Sequence, residues 1–131
     1  MIMFLGLRTV VYSAPDLAAA KAWWTTVLGV GPYFDEPFYV GFTAGGYELG
    51  LTPGGDPAAG GRAYWGVRDV AAAAGRLLAA GAVVDEPVQD VGDGIKLGTF
   101  RTPDGNLVGL IENPAFKLEP APIPESDGPG R

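Results

Sequence analysis

Apolar residues at helical spacing mark two stretches of this chain. In the first, Leu17, Ala20, Trp24, Val27 and Leu28 fall on one face of a helix. Asp16 is placed to cap its start and Gly29 to stop it. The second stretch repeats the phasing with Val70, Ala73, Leu77 and Ala80, set between Asp69 and Gly81. A run suited to a strand precedes each helix, Leu7 to Tyr12 and Arg62 to Val67. Three more follow each one: Pro32 to Phe34, Phe38 to Thr43 and Tyr47 to Thr52, then Val83 to Pro87, Ile95 to Thr102 and Asn106 to Glu112. Ala44-Gly45-Gly46 and Pro103-Asp104-Gly105 read as breaks between strands. The pattern predicts the order βαβββ, twice.

The duplication also shows in the residues. Asp-Leu-Ala-Ala-Ala opens at Asp16 and Asp-Val-Ala-Ala-Ala at Asp69, while Gly46-Tyr47-Glu48-Leu49-Gly50-Leu51 is echoed by Gly105-Asn106-Leu107-Val108-Gly109-Leu110. Two copies are too few to bury a core by stacking as a solenoid does. They are expected to close on each other as one α+β domain, residues 1–115, with units of about 5–53 and 62–113. The expected architecture is a curved mixed sheet around a cavity, with both helices on its convex side. The glycine-rich 53–61 segment reads as a flexible joint, and the Pro-rich 116–131 segment as an extended tail.

The duplicated order is accompanied by specific words. Ala14-Pro15-Asp16-Leu17 leads into a helix carrying Trp23-Trp24 and closing on Val27-Leu28-Gly29, and Arg101-Thr102-Pro103-Asp104-Gly105-Asn106 precedes the last strand. Together they resemble the vicinal oxygen chelate superfamily, which holds glyoxalase I, extradiol dioxygenases, fosfomycin-modifying transferases, epimerases and bleomycin-resistance proteins. The resemblance spans about residues 5–113, and the Pro-Asp-Gly-Asn turn is its most specific piece. It implies one divalent metal held in the cavity by His, Glu or Gln from the first and last strands of each unit. Open positions on that metal let two neighbouring substrate oxygens chelate.

Carried onto this sequence, the first-strand positions fall at Thr9 and Arg62, and the last-strand positions at Gly50 and Gly109. None is an ordinary transition-metal ligand, and Arg62 brings a permanent positive charge to a cation's place. The chain has no histidine and no cysteine. The expectation is a protein with no metal and no cofactor.

Strand alternation decides which side chains share the cavity. With Arg62 inward, Tyr64 and Gly66 follow it, as do Thr9, Val11 and Ser13, then Glu48, Gly50 and Thr52, then Leu107, Gly109 and Ile111. Ala63, Trp65 and Val67 pack beneath a helix. Glu48 is either a cavity acid or base or a solvated carboxylate. Arg62 either clamps an anionic group, pairs with Glu48 or Glu112, or is simply exposed beside the glycine loop. Lys96 is either a ligand contact or a solvated lysine. Tyr33, Phe34, Phe38, Tyr39 and Phe42 are candidates for an aromatic wall, and glycine at positions 50 and 109 is expected to widen the floor. The candidate ligand-binding residues are therefore Thr9, Val11, Glu48, Gly50, Arg62 and Tyr64 near the centre. Tyr33, Phe38, Phe42, Lys96, Leu107 and Gly109 complete the set.

Composition narrows the partners. Hydrophobic residues make up 47% of the 131, yet no uninterrupted apolar run approaches a bilayer span. The apolar Met1 to Leu7 lacks the basic start of a secretory signal, and the absence of cysteine is compatible with a reducing cytoplasm. With a net charge of −6 and its nine basic residues scattered, the chain is expected to bind neither nucleic acid nor membrane, while a cationic ligand would be favoured. Two function classes follow. One is a metal-free small-molecule binding protein, similar to the bleomycin-resistance branch, taking an antibiotic or planar natural product. The other is an enzyme of lyase, isomerase or dioxygenase type working without the usual metal.

A concave sheet face with both helices committed to the other side needs a cover, either a second copy of the chain or the Pro-rich tail, and a homodimer is expected. Light scattering at micromolar concentration is expected to give a homodimer, and deleting residues 116–131 tests whether the tail helps. A monomer in both would remove the second copy from the picture.

Overall fold

The computed structural model describes residues 3–116. The first unit runs β1 (Phe4–Ser13), α1 (Leu17–Leu28), β2 (Phe34–Glu36), β3 (Tyr39–Ala44) and β4 (Tyr47–Thr52). The second runs β5 (Arg62–Val67), α2 (Val70–Ala79), β6 (Val83–Gly92), β7 (Ile95–Arg101) and β8 (Leu107–Glu112). Both helix starts follow from their caps. The Asp16 carboxylate accepts the Ala19 N–H at 3.0 Å and the Asp69 carboxylate accepts the Ala72 N–H at 3.1 Å. Gly29 ends α1 in the left-handed region at φ 76°. At the end of α2, Gly81 at φ 101° lets the Ala82 N–H reach back to the Leu77 carbonyl at 3.0 Å.

All eight strands form one sheet in the order β2-β3-β4-β1-β5-β8-β7-β6. Within each unit the first and last strands are parallel neighbours, β1 with β4 and β5 with β8, and the rest is antiparallel. The two units meet where β1 pairs antiparallel with β5. The fold is α+β, with the helices on one face of a mixed, unclosed sheet and a cavity on the other.

Each helix buries its stripe over its own small core. Leu17, Ala20, Trp24 and Leu28 pack on Ala14, Val40, Phe42, Leu49 and Leu51, whereas Ala74 and Leu77 pack on Val67, Val70, Ala73, Phe100 and Leu110. Val27 lies at the margin of the α1 stripe and is 54% exposed. Met3 and Phe4, at the start of the first unit, pack on the second unit's core, and the Phe4 ring stacks on Trp65 at 5.0 Å.

Four elements differ clearly from the expected pattern. β2 spans Phe34–Glu36 rather than Pro32–Phe34. β1 begins at Phe4 rather than Leu7. β6 does not stop at Pro87 but continues to Gly92 and turns through Asp93-Gly94 into β7. It is an edge strand with register shifts around Glu86–Gln89, where a residue without an N–H is tolerated. The joint holds a 3-10 turn, Pro57–Ala59, because Asp56 caps it by accepting the Ala58 N–H at 2.9 Å. The tail expected from residue 116 lies, from 117 onward, outside the described residues.

Phe42 is fully buried between β3 and α1. Phe42→Ala is expected to lower unfolding stability by about 3 to 5 kcal/mol in urea titrations, the usual cost of truncating a core phenylalanine. Lys96→Ala, at an exposed position, is expected to stay within about 0.5 kcal/mol of the parent.

Candidate functional site

Strand register builds the floor of the cavity. Thr9 on β1 stands opposite Glu48 on β4 and Tyr64 on β5, and Tyr64 stands opposite Gly109 on β8. The adjacent row contains Gly50, Val11 and Arg62. The four positions singled out by resemblance thus occupy two neighbouring rows across the middle of one sheet. The cavity above them, of about 890 Å³, is lined by residues of both units.

The two glycines do not widen it. A Cβ built on Gly50 would come within 2.6 Å of the Tyr39 ring carbon that bears the hydroxyl. One on Gly109 would lie 2.5 Å from the Tyr64 ring. Each glycine is the seat of a tyrosine ring, so the expected widening is corrected: the missing side chains make room for aromatics rather than for open space.

Glu48 is the polar centre of the first unit's half. Its carboxylate accepts a hydrogen bond from the Thr9 hydroxyl at 3.0 Å and another from the Tyr33 hydroxyl. β4 lies inside the sheet, between β3 and β1, so Glu48 is half-buried and not a solvated edge residue. The phenols around it respond. Loss of solvation, with the hydrogen bond and negative charge of Glu48, pushes the Tyr33 phenol well above its ordinary range. Tyr39 is raised further by burial and then by the Glu48 charge, with smaller contributions from Tyr33 and Tyr64. Both stay protonated as donors at neutral pH.

Two guanidinium groups face the same space. A register shift between Leu7 and Thr9 inserts one residue in β1, so that Arg8 and Thr9, adjacent in sequence, both line the cavity. The Arg8 side chain lies across Gly66, where a Cβ would meet its Nε at 2.6 Å, and its guanidinium sits 4.0 Å above the Phe116 ring. Arg62 makes neither of the anticipated ion pairs. Among the described residues the salt bridges are Lys21 with Asp35 and Arg101 with Asp85, while Glu112 accepts the Val70 N–H at the start of α2.

Of the anticipated residues, Thr9, Val11, Tyr33, Phe38, Glu48, Arg62 and Tyr64 line the cavity together. Gly50 and Gly109 lie in its floor beneath tyrosines. Phe42 does not belong to the wall: it pairs with Leu49, which faces α1, so it points into the helix-side core. Lys96 is likewise on the wrong face, opposite Glu112, while Leu97 turns inward. Leu107 lies outside the cavity lining, opposite Arg101 at the far end of β8. Sequence reasoning missed Arg8, the Val91–Ile95 hairpin and the Asn113–Phe116 segment, all of which border the cavity. Gly6, a glycine inside β1 at φ 132°, was the available sign of a bulge, and Asp93-Gly94 that of a hairpin.

Comparison with known proteins places this geometry. A Mn(II)-bound glyoxalase from Novosphingobium aromaticivorans is similar at 21% identity and a TM-score of 0.71, across 94% of this chain and 44% of that one. Methylmalonyl-CoA epimerase from Mycobacterium tuberculosis is similar at 20% identity and a TM-score of 0.65, across 86% of this chain and 93% of that one. A glyoxalase/bleomycin resistance protein/dioxygenase superfamily member from Vibrio splendidus 12B01 shows 19% identity and a TM-score of 0.63, across 82% and 99%. At these identities the likeness concerns the fold. No curated protein matches the sequence. The family model matches residues 6–110, and the chain belongs to the Glyoxalase/Bleomycin resistance protein/Dioxygenase superfamily.

Proposed function

We propose that this protein is a small-molecule binding member of its superfamily that works without a divalent metal. The observation that carries the reading is the pair of tyrosine rings seated on Gly50 and Gly109, with Arg62 on the same floor. A transition-metal site needs several nitrogen, oxygen or sulfur donors converging on one point. The four positions here offer a threonine hydroxyl, two glycines and a guanidinium, which has no lone pair to give. Among the described residues Glu48 is the one nearby carboxylate at the floor, and a single carboxylate does not make a metal site. Among the described residues no group of three or more His, Cys, Asp and Glu comes together to hold a metal. The residues present do not fit the ion.

They do fit an organic molecule. The cavity is of the size that encloses such ligands, and Tyr33, Phe34, Phe38 and Tyr47 offer aromatic surface along one side. Phe38 is 66% exposed, a large apolar area to leave in water without a use. Glu48, held among hydroxyls that stay protonated, supports a second reading: an enzyme of the same superfamily that uses this carboxylate to move a proton.

Elemental analysis of desalted protein is expected to find no stoichiometric metal. In thermal-shift screens, planar organic ligands are expected to stabilise the fold, by about 2.7 kcal/mol at a concentration near 100 times Kd, while Mn(II), Ni(II) and Zn(II) leave it unchanged. One tightly bound metal per chain, raising the melting temperature, would overturn the reading. Turnover of a stabilising ligand without metal would favour the enzyme.

The phenols give a pH dependence of definite sign. Their folded values lie above the ordinary 10.0, so their contribution to stability is complete below pH 10. It is lost as pH rises further, because the unfolded chain releases these protons first. In a phenolate absorbance titration Tyr33 and Tyr39 are expected to ionise late. Glu48→Gln is expected to bring their onset down, since the neighbouring charge is gone while burial remains.

A further inference from the structure

Among the described residues four charged side chains line the cavity: Arg8, Glu48, Arg62 and Asp93. Three have a visible disposition. Arg8 rests on the Phe116 ring and donates to the Leu7 carbonyl at 3.3 Å, Glu48 accepts from two hydroxyls, and Asp93 is exposed in the hairpin turn. Arg62 has none. Its Nε is sealed from solvent and finds no hydrogen-bond partner, and no carboxylate pairs with the group among the described residues. A buried donor on a charged group is costly to leave unmatched, and removing it from water without an opposite charge adds to that cost. Register nevertheless directs it inward, beside Val11, which offers no acceptor. The planar fork of a guanidinium matches two coplanar oxygens.

We propose that Arg62 anchors the carboxylate of a planar aromatic hydroxy acid, whose hydroxyl donates to Glu48 at the other end. The spacing sets the size of the molecule. β1 lies between β5, which carries Arg62, and β4, which carries Glu48, and the two residues sit in adjacent rows, so their backbone positions are two strands across and two residues along, roughly 12 Å apart at about 4.8 Å per strand and about 3.3 Å per residue. That matches two fused rings with polar groups at opposite ends, and Tyr33 and Phe38 border the same space. The overall charge of −6 favours a cation at long range, but the buried group left without a hydrogen-bond partner among the described residues is the Arg62 donor, whereas Glu48 is already held by two hydroxyls, and close contacts outweigh a field screened over about 10 Å. The inference rests on the metal-free binding reading and specifies its ligand.

The test is calorimetry on the full chain with three probes of one shape: a hydroxynaphthoic acid with its two groups at opposite ends, the naphthol lacking the carboxylate, and naphthylmethylamine. The acid is expected to bind at least tenfold tighter than the naphthol. Arg62→Ala should weaken it tenfold to a hundredfold, to the level of the naphthol, and Arg62→Lys should recover part of the loss. Melting curves of Arg62→Ala are expected to show a folded protein no less stable than the parent, since an uncompensated charge is removed. In the unaltered chain, the Arg62 Nε–H signal of nitrogen-labelled protein should move when the acid is added. Equal affinity for acid and naphthol with no effect of Arg62→Ala, tighter binding of the amine, or no binding of any probe would each overturn the proposal. Those outcomes leave the metal-free binding reading standing, because that reading is tested separately, by a bound metal or by turnover of a stabilising ligand.

Discussion

The antiparallel pairing of β1 with β5 is the constraint on which everything else depends. Each unit has its own helix and its own buried cluster, and the two clusters are separate. What joins them is a backbone ladder in the middle of the sheet, reinforced where Phe4 at the start of β1 crosses onto the second unit's core and stacks on Trp65. The same ladder sets Thr9 against Tyr64 and Val11 against Arg62, so the floor of the cavity is a product of the joint itself. A shift of one residue in this register would send every one of these side chains to the helix face.

Polar groups on that floor are matched in one half and unmatched in the other. In the first unit's half, hydroxyls from β1 and from the segment before β2 converge on Glu48, a carboxylate that a single interior strand delivers into partial burial. Across β1, Arg62 faces an apolar neighbour. The asymmetry is notable because the two units are built alike. The duplication has preserved backbone geometry, including the glycine on each last strand, while the side chains on the first strands have diverged in charge.

The elements, the helix caps and the division of β5 into cavity and helix faces were legible because they depend on local chemistry and on period. Asp16 and Asp69 cap as their position suggests, and Arg62 and Tyr64 share a face because alternation requires it. Phe42 was recoverable too. The Gly45-Gly46 turn pairs Ala44 with Tyr47 and so aligns Phe42 with Leu49, away from Glu48. What could not be read were contacts set by tertiary approach. The extra residue at Arg8 changes phase within a strand, and Tyr39 and Tyr64 reach glycines on neighbouring strands. No periodicity encodes which ring will cover which glycine.

Those covered glycines make the order of change matter. A carboxylate or imidazole cannot be introduced at position 50 while the Tyr39 ring lies 2.6 Å from its first carbon, nor at position 109 while Tyr64 lies 2.5 Å away. Each substitution becomes sterically acceptable only after its tyrosine has moved or been replaced, and losing the tyrosine alone leaves a hole over a bare backbone. Both single steps are therefore unfavourable where the double step is not. In a fitness landscape such a pair is a valley, and a chain lying on this side of it drifts among ligands of the cavity far more readily than it crosses to a different chemistry at the floor.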